Sequence, residues 1–308
     1  MGSETAPTDV LIVCTRHRPD DVAGCLATIR AQTHLAPHVL VVDASDDDAT
    51  AGVVAASVAD WPAGSRLEYL HATPSLTHQR TVGIAHTNSE IVHFVDDDVR
   101  LDRHCLESIM ATFASDLANT TESTRRILGV GAFMTGQPPR KRVKWIDRVA
   151  GLDSDHEGVV LPTGRNIAII TEPSRTVDVD WLSGAVMSYR RAALVAEPPD
   201  EVGFPFEGED VDLSFRIARH GRLVVNPAAR YVHLESQTNR VAGAAQAKAE
   251  LCARLLRVAN NPDRLSHRRA VIAAVVQYFK YAVSGVLTMS PRRLALARGT
   301  LQGLRRSR

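Results

Sequence analysis

Two runs of carboxylates stand where chemistry could use them. The first is Phe94-Val95-Asp96-Asp97-Asp98, in which an apolar stretch delivers three acids into a turn. Alternate residues near a strand end point the same way, so Asp96 and Asp98 can face one point. Two such oxygen donors suit Mg2+ or Mn2+, cations that keep further positions for phosphate oxygens and water. The second run is Phe206-Glu207-Gly208-Glu209-Asp210-Val211-Asp212, where Gly208 loosens a turn and Glu209 and Asp210 begin a helix. A carboxylate fixed there is placed to take a proton from an incoming hydroxyl. Each run also has a plainer reading. A lone triple Asp is more often a solvated turn, and acids at a helix start are stabilised by its dipole by about 0.3–1 kcal/mol. His233, in Tyr231-Val232-His233-Leu234, is either a third metal ligand or an ordinary satisfied histidine. Arg16, Arg18 and Arg80 suit phosphate oxygens through paired hydrogen bonds.

The elements that must position these groups alternate along the chain. Val10–Cys14, Pro37–Val42, Arg66–His71 and Ile91–Val95 read as short apolar strands, with helices over Asp21–Gln32, Thr50–Ala59 and Thr77–Ala85 between them. That order predicts an α/β fold: a mixed, mainly parallel sheet with helices on both faces, binding ligands at the carboxyl ends of its strands. Thr15–Arg18, Asp43 and Asp96–Asp98 all fall at such ends. Further on, Gly129–Phe133 reads as a strand, Asp178–Tyr189 as another, and Arg190–Ala196 and Asp210–Arg219 as helices. Arg222–Val225 and Ala229–Leu234 read as two strands, and the chain is mostly helical after Arg240.

Taken together and in this order, these blocks resemble the family 2 glycosyltransferases with the GT-A fold. VLIVCTRHRPDDVAGCLATIRAQ looks like that family's opening strand, loop and helix, and HVLVVDASDDD like its second strand. LTHQRTVGIAHTNSEIVHFVDDDV resembles its helix, strand and DXD motif. WLSGAVMSYRRAAL resembles its acceptor-side strand, and FEGEDVDLSFRIARHGRLVVNPAARYVHL its ED helix and the strand after it. The resemblance implies an inverting, metal-dependent transfer from a nucleotide sugar (UDP-, dTDP- or GDP-linked) to a hydroxyl acceptor. On that reading Asp96, Asp98 and His233 hold the cation, and Asp97 lies by the ribose or donor sugar. Asp43 and the Thr15–Arg18 loop, with Arg16, hold base and ribose, and Arg80 approaches the donor. Asp210 is the general base, Glu209 its neighbour, and Trp181, Ser183 and Gly184 line the acceptor side. Two features depart from the family pattern. Thr81 follows Arg80 where an amide is common, and the QxxRW signature of processive synthases is incomplete, since Gln237 and Arg240 are followed by Val241. Transfer of one or few sugars is therefore expected.

The domains expected are a catalytic domain over 1–240, with a donor half at about 9–100 and an acceptor half at about 101–240, and a basic helical extension over 241–308. The chain has 308 residues, 44% of them hydrophobic and 23% charged, enough for a full core. Its net charge of +1 conceals a split. Residues 241–308 carry 13 Lys/Arg against 2 Asp/Glu, while the remainder carries 23 against 33. A basic tail on an acidic body points to an anionic partner. Ala270–Met289 is long and apolar enough to suggest a membrane span, but Lys280 lies in its middle and its polar residues share one helical face, so it reads as amphipathic. Either it packs on the body, or residues 265–308 lie on an anionic membrane surface. Nucleic acid is excluded as a partner, because the tail lacks interleaved aromatics and the acidic body would repel phosphate. Four scattered cysteines without a CxxC fit free thiols in a reducing compartment. The expected place is the cytoplasm, peripheral on the inner face of the plasma membrane. Two rivals are carried. A sugar nucleotidyltransferase would want a Gly-rich phosphate loop near the start, and Thr15–Asp20 has no Gly. A non-catalytic membrane-associated scaffold of the same fold would have lost Asp96, Asp98 or Asp210, and all three are present.

Overall fold

A computed structural model describes residues 8–118, 126–236 and 242–306. The described residues fall into two compact units, one from Met1–Pro138 with Ile170–Asn239, the other from Pro139–Ile169 with Arg240–Arg308. The second unit therefore includes a segment, 139–169, that the sequence reading had put in the acceptor half.

The first unit is built on one nine-stranded sheet. Strands β1 (Asp9–Thr15), β2 (His38–Asp43), β3 (Arg66–His71) and β4 (Ile91–Asp96) pair in parallel in the order β3-β2-β1-β4. Beyond β4 the path continues through β8 (Val186–Arg190), β6 (Ile127–Met134), β9 (Arg222–His233) and β5 (Val99–Leu101), with β7 (Val177–Val179) pairing β9. β8 runs antiparallel to both β4 and β6, and β6 runs parallel to β9. So β6 and β9 point the same way as the first four strands, while β5, β7 and β8 oppose them.

β1 is buried along its whole length, as a strand covered on both faces must be. Leu11 and Val13 join Val22, Cys25, Leu26 and Ile29 of α1 (Pro19–Arg30) and Phe113 of α4 (Cys105–Ala118) in one core. Ile12 faces the other way, against Gly83 of α3 (Leu76–Ala85), where an added Cβ would sit 2.7 Å from Ile12 Cδ1. α1 starts with Pro at its first position and Asp20 and Asp21 in its first turn, which suits the helix dipole. α2 (Ala49–Val58) and α6 (Arg191–Ala196) complete the helices expected in this region.

Two strand assignments from sequence are corrected. Asp178–Tyr189 is not one strand: β7 and β8 are separated by residues 180–185, whose backbone serves the site described below. Conversely, Arg222–Val225 and Ala229–Leu234 are not two strands: all but Leu234 belong to one, β9, which absorbs Pro227 at an irregularity where its register against β6 shifts between Ala132 and Phe133.

The second unit contains α5 (Trp145–Val149), α8 (Gly243–Asn260), α9 (His267–Leu287) and α10 (Pro291–Arg306). α8 and α10 approach backbone to backbone at Gly299, where a Cβ would lie 2.1 Å from Ala244 O. α9 buries the small residues Ala270, Ala273, Ala274 and Gly285. Its polar side is used within the unit. Gln277 meets Arg254 of α8 and Lys280 pairs with Asp147 of α5. The opposite stripe, with Ile272, Val275, Phe279, Val283 and Val286, is exposed. Cys14, Cys25 and Cys105 are buried free thiols and Cys252 is half-buried.

Candidate active site

Every site residue expected from sequence lies in the first unit, at the carboxyl edge of its parallel strands. β4 presents Asp96, and Asp97 and Asp98 follow in the tight turn to β5. β9, antiparallel to β5, sets His233 opposite Val99. The result is a three-residue set. Asp96, Asp98 and His233 each offer one ligand atom, all within 4.8 Å of one another. His233 Nε2 lies 2.9 Å from Asp98 Oδ1, and the Ser236 amide donates to Asp98 Oδ2 at 2.9 Å. Two carboxylates and an imidazole form a donor set that fits Mn2+ or Mg2+. Burial works against the Asp98 charge, but the His233 hydrogen bond and charge outweigh it and hold that carboxyl at about 2. Asp96 is pushed upward by burial despite Arg80 and His233.

Asp97 turns away from this set. Thr15 Oγ1 donates to its Oδ2 at 2.7 Å and Arg18 Nη1 to its Oδ1 at 3.0 Å. Thr15 and Arg18, expected to face the nucleoside, thus have side chains engaged with the DXD turn. Burial pushes Asp97 up to about 6 against both contacts. Arg16 is exposed beside them. Asp43, at the end of β2, is fully buried; it accepts from Ser45 N at 3.0 Å, Ser45 Oγ at 2.6 Å and Tyr69 OH at 3.1 Å.

The second carboxylate run reaches the same place from α7 (Glu209–Ile217). Gly208, at φ 74°, turns the chain into the helix, and the acids of its first turn suit the dipole. Asp210 accepts from Gly184 N at 2.9 Å through Oδ2 and from Val211 N at 2.7 Å through Oδ1. Arg80 joins the two runs. It is 2% exposed, donates to Glu209 Oε1 at 2.7 Å, lies 3.6 Å from Asp96 Oδ1, and reaches Gly184 O at 3.4 Å. Its guanidinium also stands 5.7 Å from the Phe94 ring centroid. Burial opposes its charge, but Glu209 and Asp96 more than compensate and hold it protonated. Burial, then the Asp210 charge, push Glu209 upward, while Arg80 pulls it down. Ser183 bonds the buried Tyr231 hydroxyl, Trp181 is half-buried, and Gly184 is buried between Arg80 and Asp210.

One supporting residue escaped the sequence reading. Gln79 is 4% exposed and donates to Thr15 O at 2.8 Å and Val42 O at 2.7 Å, clamping the ends of β1 and β2. The amide absent after Arg80 is found before it, and a Gln on the buried side of a helix was the available signal. The Gln237–Arg240 signature lies outside the described residues.

Residues 10–158 match the model of glycosyl transferase family 2. Over that segment the chain is similar to glycosyl transferase family 2. Among solved structures it is similar to the mannosyltransferase PcManGT from Pyrobaculum calidifontis, in complex with GDP-Man and Mn2+, at 15% identity and a TM-score of 0.58, over 98% of this chain and 88% of that one. It is also similar to S. aureus TarS 1-349 in complex with UDP-GlcNAc, at 16% identity and a TM-score of 0.59, over 97% of this chain and 81% of that one. At such identities the likeness is one of fold, the GT-A fold. No curated protein matches the chain in sequence.

Proposed function

We propose that the chain is a family 2 glycosyltransferase that moves a sugar from a nucleoside-diphosphate sugar to an acceptor hydroxyl, with a divalent cation and with inversion. The observation that carries the reading is Arg80, which touches Asp96 of the cation set and Glu209 beside Asp210. Donor grip and base therefore share one site. Asp96, Asp98 and His233 would hold Mn2+ or Mg2+. When bound, the ion supplies Lewis-acid neutralisation of the departing diphosphate. Two backbone amides, from Gly184 and Val211, orient the Asp210 carboxylate. Asp210 takes the hydroxyl proton as the acceptor oxygen bonds to the anomeric carbon. The bond from that carbon to the diphosphate oxygen breaks on the opposite face, so a single displacement inverts the centre. Base assistance of this kind is worth about 10²–10⁴ in rate. Thr15, Arg16, Arg18, Asp43 and Asp97 border the donor, and Trp181, Ser183 and Gly184 the acceptor. The test is a panel of UDP-, dTDP- and GDP-sugars screened for thermal stabilisation with Mn2+ and with chelator, then transfer assays. Asp210→Asn is expected to keep donor binding and lose transfer, and Asp96→Asn to lose the Mn2+-dependent stabilisation. Wild-type transfer by Asp210→Asn would refute the base assignment.

The helical unit supports a cytoplasmic enzyme held at an anionic lipid surface. The exposed α9 stripe is flanked by exposed Arg268, Arg269, Arg292 and Arg293. α5 adds Trp145, 73% exposed, and Val149, beside exposed Lys141, Arg142 and Lys144. Apolar insertion ringed by cations fits an interfacial helix and an acceptor carried on a lipid. Flotation with phosphatidylglycerol vesicles is expected for the full chain and lost in Phe279→Asp with Val286→Asp. Equal flotation of that variant would refute lipid contact through α9.

A further inference from the structure

The helical unit buries arginines that the transfer reaction does not use. Arg254 and Arg257, one turn apart on α8, are 6% and 3% exposed. Arg257 Nη1 donates to Gly164 O at 2.9 Å. Gly164, at φ 75°, presses on α8 so closely that a Cβ would lie 2.6 Å from Val258 Cγ2 and 3.1 Å from Arg254 Cγ. Only glycine combines that φ with that approach, and the contact brings half-buried Arg165 into electrostatic range of Arg254. Arg254 reaches Gln277 Oε1 at 3.5 Å through Nη1, a weak contact. Its Nε and Nη2 are closed off from solvent and meet no hydrogen-bond partner among the described residues.

Those two nitrogens are not an arbitrary pair. Nε–H and Nη2–H share one edge of the guanidinium plane, the side-on fork that grips two oxygens of an oxyanion. Arg165 and Arg257 act on Arg254 against the Glu250 carboxylate and Tyr281, and burial followed by Arg165 lowers its pKa to about 10. A cation withdrawn from water with its fork unmet is costly unless a counter-ion meets it. An excess of positive charge around a bidentate edge selects a compact, highly charged oxyanion over a single carboxylate.

We infer that Arg165, Arg254 and Arg257 form a phosphate-binding site in the helical unit, gripping the phosphate through the Nε/Nη2 edge of Arg254. The site is independent of the donor chemistry. The phosphate is either free or carried as the headgroup of an anionic lipid.

The test uses the full chain in chelator, so that no cation-dependent donor binding contributes. Inorganic phosphate, compared with chloride at equal ionic strength, is expected to raise the melting temperature saturably. Arg254→Met is expected to weaken that response at least tenfold. It is also expected to be as stable as wild type, or more so, in phosphate-free buffer, because an uncompensated buried cation has been replaced by an apolar chain. Arg165→Ala, on the half-buried loop, is expected to weaken the response several-fold, and keeps the test valid should the Met variant not fold. Flotation with phosphatidic acid vesicles distinguishes the two sources. Its loss in Arg254→Met assigns the headgroup, and its persistence alongside a lost phosphate response assigns free phosphate. A chloride-like effect of phosphate on wild type, or an unchanged response in both variants, overturns the site. Mn2+-dependent stabilisation by nucleotide sugar, read on Arg254→Met, is expected to match wild type. Its failure in every variant with the phosphate response intact would fault the donor reading alone.

Discussion

Arg80→Met would remove a cation that two distant carboxylate runs share. The magnitude follows from the contacts. At an effective dielectric near 20, the 2.7 Å contact with Glu209 supplies roughly 6 kcal/mol of gross attraction and the 3.6 Å approach to Asp96 roughly 4.5 kcal/mol. Withdrawing the guanidinium from water cancels several kcal/mol of this. What remains after substitution is two carboxylates without a counter-charge, and breaking a buried pair from one side costs about 3–5 kcal/mol. Urea unfolding in chelator would read that loss. Glu209→Gln in the same background removes one stranded charge, so the double variant should cost about 1–3 kcal/mol less than the sum of the singles. Cation affinity should move the other way. Taking a positive charge from beside Asp96 is worth about 1 kcal/mol even at the dielectric of water, or about fivefold tighter Mn2+ by calorimetry. A stability loss under about 1 kcal/mol, additive with Glu209→Gln and without tighter Mn2+, would refute Arg80 as the electrostatic link.

Three further outcomes are expected. Gly184→Ala would set a Cβ 3.0 Å from Arg80 Nη2 and 3.4 Å from Asp210 Oδ2, so stability should fall by about 1–3 kcal/mol and the transfer rate more steeply than donor binding, as single-turnover kinetics would show. Gln79→Leu should cost about 2–4 kcal/mol in urea unfolding, because the clamp from the Gln79 amide to the Thr15 and Val42 carbonyls is lost. Asp9 is buried and, although burial raises it, the hydrogen bonds from His34 and His93 hold it well below the usual carboxylate range; His34 is raised, first by its bond to Asp9. A depressed acid stabilises above its unfolded pKa and loses that contribution as pH falls through the folded one. A raised histidine stabilises below its unfolded pKa and loses that contribution as pH rises through the folded one. The pair should therefore act fully between about pH 4 and 6.5, and Asp9→Asn should remove about 1.5–3 kcal/mol there, read from thermal unfolding against pH.

The parallel half of the fold was legible because its strands are covered on both faces and its polar groups sit at their ends; Asp96 and Asp98 were read by that rule, whereas Asp210 was read from its place at a helix start and His233 and Asp210 took their roles from the family resemblance. What stayed hidden depends on contacts rather than periodicity. Residues 180–185 are apolar enough to extend a strand, but the Gly184 amide is taken by Asp210 and its carbonyl by Arg80. β9 runs through Pro227 because the register shift against β6 removes the need for that residue's missing N–H. The membership of 139–169 in the helical unit rests on pairs such as Asp147 with Lys280 and Gly164 with Arg257, residues about a hundred positions apart. Asp97 read as a contact of the ribose or donor sugar, and only the folded turn brings Thr15 and Arg18 onto it.

Because β8 runs against β4, the segment entering β8 arrives at the very edge where β4 leaves off. In the proposed reaction, one side is served by strand exits and the other by a strand entrance. Insertions or exchanges between Val179 and Val186 could therefore re-tailor the receiving molecule while the exits that grip the donor keep their register. A scaffold wired this way can diversify what it decorates without relearning what it spends.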